Sequence, residues 1–181
     1  MKPYSYFALL LVFLGCGEPE PRRPVKVNSG RFYNESVARN KALLEKEEKY
    51  IQDLIALDTK NEYFQSANGS WYYYGRKNVE ADYTPQPDDL VTLTYNILSL
   101  ENDTLYSSLE IGPIRYKVDK QELFPGLRNS VKLLKENETA TFLFPSSLGY
   151  GYHGDNNKIG INVPIKSTIS ILDIQRKEKI E

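Results

Sequence analysis

Apolar residues fall on one side of residues 34–60, where Val37, Leu43, Leu44, Tyr50, Ile51, Leu54 and Ile55 recur at helical spacing with Lys and Glu between them. That period predicts a long amphipathic helix. Its stripe needs a cover, either the rest of its own domain or the matching helix of a second copy. Further on the period changes to two. Residues 71–74 (WYYY), set between the turn residues Asn68-Gly69 and Gly75, read as a short strand. Its aromatics either pack in a core or edge or form an exposed ligand patch, and burial is the ordinary fate of such side chains. Val91, Leu93, Tyr95 and Ile97 alternate with Thr92, Thr94 and Asn96, so one face of that strand is buried. Leu127, Val131 and Leu134 stand at i, i+4 and i+7 and line one face of a short helix ending near Asn137. Ala140, Phe142 and Phe144 alternate with Thr139, Thr141 and Leu143 up to Pro145. A final strand over 168–174 puts Ile169 and Ile171 on one face, and the phase break at Leu172 predicts a bulge. These elements predict an α+β fold, a curled antiparallel sheet wrapped on one short helix and preceded by the long amphipathic helix.

With 181 residues, the chain has room for one compact domain plus extensions. Its 23 basic and 24 acidic residues leave a net charge of −1, which removes the electrostatic case for nucleic-acid binding. A single Cys and a single His can build neither a zinc site nor a Cys–His pair, and no disulfide closes within one chain. No metal and no cofactor is expected. The start of the chain reads as processing sequence. Lys2 precedes an apolar run over 4–14, shorter than the ~20 residues a spanning helix needs, which suits a signal peptide over 1–15. Gly15-Cys16 after it resembles a bacterial lipobox, with Phe13 where Leu is usual, and implies lipidation at Cys16; the alternative is a secreted chain with an incidental thiol. Pro19, Pro21 and Pro24 among charged residues then predict an extended tether over 16–33. The expected organisation is signal peptide 1–15, tether 16–33, helix 34–60, connector with a short strand 61–86, and a domain over 87–178.

Within that last segment VTLTYN (91–96), LFPGL (123–127), TATFLFP (139–145), LGYG (148–151) and NVPIKSTI (162–169) follow one another in order. Together they resemble an FKBP-type peptidyl-prolyl cis-trans isomerase domain. Adding RRPV (22–25), the long helix, WYYY and YGYHGDNNKIG (150–160), nearly the whole chain is similar to the FKBP-type lipoproteins associated with bacterial gliding motility. The resemblance implies isomerase activity on X–Pro segments of client proteins, at a cup of apolar and aromatic side chains. Tyr95, Phe124 and Tyr150 take the catalytic positions, with Leu105, Ile114, Leu123, Leu127 and Ile171 binding substrate. By the same resemblance the Tyr150 hydroxyl donates to the carbonyl before proline and the Phe124 N–H to the one after it. Leu127 stands where the floor is usually Trp, Leu105 and Ile171 replace aromatics, and Tyr106 replaces a rim Asp, departures that imply weak turnover and weak macrolide binding. The resemblance also implies a membrane-anchored protein of the cell envelope facing the periplasm, and a homodimer through the 34–60 helix. A non-catalytic chaperone or assembly module is the alternative. Gly149, Gly151 and Gly154 match the spacing of a dinucleotide fingerprint, but no helix pattern follows them, which removes that reading. His153 is assigned no role beyond the pocket rim.

Overall fold

The computed structural model describes residues 29–178. The expected signal peptide, Cys16 and most of the tether lie outside the described residues. The chain divides into two compact units, Met1–Ser36 and Val37–Glu181, and the second carries the sheet.

Helix α1, Ser29–Leu57, starts earlier and stops earlier than its apolar stripe predicts. Past Pro24 no proline interrupts helical backbone until well beyond the helix, so the last residues assigned to the tether are helical. At the other end Asp58 accepts from the Lys60 N–H at 3.0 Å and from Asn61 Nδ2 at 2.8 Å, local bonds that compete with another helical turn.

There follow β1 (Phe64–Gln65), β2 (Trp71–Arg76), β3 (Leu90–Tyr95), β4 (Ile97–Leu98), β5 (Thr104–Tyr106), α2 (Ser108–Ile111), β6 (Ile114–Lys117), α3 (Pro125–Val131), β7 (Thr139–Phe144), a 3-10 turn (Ser146–Leu148) and β8 (Ile165–Gln175). The sheet is antiparallel, in the order β1-β2-β7-β8-β3-β6, with β4 and β5 attached alongside β8. The segment read as a connector therefore supplies part of the sheet: β2 pairs along β7 from Trp71 opposite Leu143 to Arg76 opposite Thr139. The expected bulge is present. Thr92 faces Asp173 and Leu93 faces Ile171, so Leu172 has no partner and turns outward.

Helix α3 ends at Val131, short of Asn137. Leu133 N–H and Leu134 N–H reach back only three residues, to Ser130 and Val131, which tightens and closes the turn. Leu134 stays fully buried all the same. Asn137 sits later, in a turn, with a positive φ of 63° that Asn tolerates better than most residues.

Strand β7 is buried on both faces. Ala140, Phe142 and Phe144 join Leu127 and Val131 of α3 in the main core, with Val91, Leu93, Ile169 and Ile171 from the neighbouring strands. Leu143 points the other way and joins Trp71, Leu100 and Ile51 of α1 in a second core, flanked by Leu54 and Ile55. The sheet is thus covered by α3 on one face and by the C-terminal half of α1 on the other. Of the α1 stripe Ile51 is fully buried, Leu43, Leu44, Leu54 and Ile55 are half-buried, and Val37 and Tyr50 are exposed.

Candidate functional site

The site is organised around Phe124. This residue precedes α3 in an extended conformation, and Pro125 opens the helix, where its fixed φ suits the first turn and no hydrogen bond is lost. Gly126 follows because nothing larger fits: a Cβ there would stand 2.6 Å from Phe144 Cδ1 and 2.8 Å from the Leu148 carbonyl oxygen. Helix α3 therefore rests directly on the end of β7 and on the 3-10 turn, and Phe124 is held over them.

Three aromatic rings surround that of Phe124. Tyr95, at the end of β3, lies 6.2 Å away between centroids, Tyr150 5.4 Å and Phe144 5.7 Å, the first and last edge-on. Such tilted and edge-on contacts suit the ring quadrupoles. The three residues expected to be catalytic are thus brought together. Leu105, Ile114 and Leu123 are half-buried and pack on the main core beside them. Leu127 and Ile171 are fully buried in the main core on which Tyr95, Phe124 and Tyr150 pack.

Among the described residues, neither the Tyr95 nor the Tyr150 hydroxyl has a hydrogen-bond partner, and the Phe124 N–H has none either. Burial, followed by the nearby Tyr95, Asp155 and Tyr106, pushes the Tyr150 pKa up to about 12, and burial raises that of Tyr95. At neutral pH both are neutral donors set in apolar surroundings. Three donors without a partner among the described residues thus belong to the residues of one ring cluster.

Tyr106, singled out in the sequence, is joined here by Asp155 and Lys158, which the sequence pattern does not mark. Tyr106 donates its hydroxyl to Asp155. Asp155 also accepts from the backbone N–H of Asn157 at 2.9 Å and of Ile159 at 2.7 Å, an Asx-type turn within the loop after Tyr150. Burial by itself would raise the Asp155 pKa, but these bonds outweigh it and hold the carboxyl below its usual range. Lys158 closes the rim, 4.5 Å over the Tyr106 ring and 2.9 Å from Glu110. The Gly154-Asp155-Asn156 turn was the available signal for Asp155; its pairing with Tyr106, 49 residues away, was not legible. His153 is exposed and stands edge-on to Tyr152, 5.5 Å between centroids.

The sequence profile of the FKBP-type peptidyl-prolyl cis-trans isomerase family matches residues 81–171. Over 139 residues the chain is 30% identical to the probable FKBP-type peptidyl-prolyl cis-trans isomerase FkpA of Neisseria meningitidis serogroup B, covering 76% of this chain and 48% of that protein. The chain spans about half the length of that curated relative. Among solved structures it is similar to FkpA from Escherichia coli, with a TM-score of 0.60 at 17% identity over 97% of this chain and 74% of that one. A peptidyl-prolyl cis-trans isomerase from Pseudomonas syringae pv. tomato gives 0.59 at 15% identity, over 75% of this chain and 96% of that one. At these identities the likeness to solved structures concerns the fold.

Proposed function

The chain belongs to the FKBP-type peptidyl-prolyl cis-trans isomerase family, and from that premise we propose that it accelerates rotation about X–Pro bonds of client proteins at the cup around Phe124. The observation that carries this reading is the convergence of the Tyr95, Phe124 and Tyr150 rings with an unengaged, neutral Tyr150 hydroxyl. The uncatalysed barrier of ~18–20 kcal/mol comes from amide resonance, which rotation breaks. The twisted transition state carries less charge separation than the planar amide, so an apolar cup disfavours the ground state more than the transition state. Tyr150 donates to the carbonyl before proline and the Phe124 N–H to the carbonyl after it. These two bonds hold the flanks of the bond while it turns. Each decade of acceleration needs about 1.4 kcal/mol of such differential interaction.

The test is refolding of a proline-limited substrate protein by the purified chain, with Tyr150→Phe and Phe124→Ala as controls. Acceleration should fall by about tenfold or more in each variant. No acceleration by the wild-type chain would reject the enzyme reading and leave a binding module of the same fold.

The setting belongs to the same proposal. Lipidation at Cys16 anchors the protein in the cell envelope facing the periplasm, pairing through the part of α1 that its own sheet leaves uncovered makes a homodimer, and clients include proteins of gliding motility. The sequence motifs described above support this. Absence of palmitate labelling that depends on Cys16, or a monomer by light scattering, would remove the corresponding part.

A further inference from the structure

Glu47 lies on α1, outside the site, yet it is one of the most buried charged residues of the second unit, with 6% of its surface exposed. Its Oε2 accepts from the backbone N–H of Ser146 at 2.8 Å, 99 residues away, while Oε1 is buried without a hydrogen-bond partner among the described residues. A carboxylate in that state is costly to keep, and a charge-assisted bond to a backbone N–H is among the stronger ones a protein makes.

Ser146 is the pivot of the loop that delivers Tyr150. Its carbonyl accepts from the Gly149 N–H at 3.0 Å and from the Gly151 N–H at 2.8 Å, so the residues on either side of Tyr150 both hang from it. Pro145 before it removes one backbone donor, and its own carbonyl accepts from Leu148 and Gly149. We propose that Glu47 is a positioning residue for the isomerase reaction: by holding the Ser146 N–H from α1, it fixes the loop that places the Tyr150 hydroxyl over Phe124. The long helix then acts on the reaction through one hydrogen bond. This rests on the isomerase reading given above.

The test uses the full chain with Glu47→Gln, which keeps an acceptor, Glu47→Leu, which removes it, and Glu47→Asp, which withdraws it by one methylene. A cavity of about 340 Å³ beside Glu47, walled in part by Leu43, Leu100 and Val163, gives the Leu side chain room. Glu47→Leu and Glu47→Asp should lower kcat/KM on an X–Pro peptide by about three- to tenfold, since small misplacement of a catalytic group costs that much and more, and Glu47→Gln should stay within about twofold of wild type. Amide exchange at Gly149 and Gly151 should quicken in the first two and not in the third. In a Tyr150→Phe background Glu47→Leu should cost less than about twofold, as expected of residues acting through one another. Should Glu47→Leu fail to fold, Glu47→Asp carries the same comparison. Wild-type kcat/KM and exchange in both variants, or an undiminished loss in the Tyr150→Phe background, would overturn the proposal. A wild-type chain without isomerase activity would instead overturn the reading on which it rests, while the exchange measurement would still report on the Glu47 link.

Discussion

Tyr150 keeps its proton because burial and its neighbours raise its pKa from the ordinary 10.0 to about 12. The raised value means that the folded protein holds this proton more tightly, so the donor is present below the ordinary pKa and is lost only as pH rises through about 12. We expect kcat/KM to be flat from about pH 6 to about 11 and to fall as pH approaches about 12, checked by a pH–rate profile. A basic limb near pH 8 would point to another group. At Gly126 the constraint is space. Gly126→Ala drives a methyl into the Phe144 ring and the Leu148 carbonyl, and overpacking of this kind costs about 1–3 kcal/mol, read as a lower denaturation midpoint. The positions of Phe124 and Tyr150 were legible because each sits in a short motif whose local geometry is fixed by Pro125 or by Gly149 and Gly151, and that of Tyr95 because it ends a strand of clear alternation. Asp155 and Glu47 were not, since each acts across a long sequence separation on a partner, the Tyr106 hydroxyl or the Ser146 N–H, that no local pattern marks.

Among the elements, α1 shows what a period can and cannot specify. The stripe of apolar residues announced the helix, but not which part of it would be covered. Ile51 is fully buried against Trp71, Leu100 and Leu143, whereas Leu57 is 80% exposed. Ile51→Ala should therefore cost about 2–4 kcal/mol in a denaturant titration, the usual range for emptying a core site. Leu57→Ala should stay within about 0.5 kcal/mol of wild type, as exposed substitutions do. Equal effects would mean that α1 does not dock through Ile51. The alternation in β7 did not say that both of its faces would be covered, and Leu143 is buried because α1 supplies a cover for it. Strand β8 runs longer than its apolar alternation suggested, because Ser167 and Lys166 pair in register with Phe142 and Leu143 whatever their polarity.

For the whole molecule the least legible feature was strand order. β2 lies beside β7 and β8 beside β3, pairings between distant segments that a local pattern cannot rank. One buried carboxylate, just before β3, ties the start of that strand to the connector before it and to the chain leaving β8. Asp89, 2% exposed, accepts from the Tyr83 hydroxyl at 2.6 Å and from the backbone N–H groups of Gln86 and Lys177, each at 2.8 Å. Burial alone would raise its pKa, but these donors prevail and lower it from the ordinary 3.8. A depressed folded value contributes stability above the ordinary pKa and loses it as pH falls through the folded one. Asp89→Asn should thus lower stability at pH 7 by about 1–3 kcal/mol, with the difference from wild type shrinking below about pH 4. A difference independent of pH would assign the loss to shape instead of charge.

The chain has one tryptophan, and the fold has put it in the second core against Ile51, on the face of the sheet away from the Phe124 cup. The cup itself is furnished with Tyr and Phe. The protein's strongest natural fluorophore is consequently a gauge of whether α1 is seated, and is silent on the cup's occupancy. An emission shift on adding a proline peptide would be news from the helix, carried across the sheet, and its size would measure how tightly the two faces are mechanically joined.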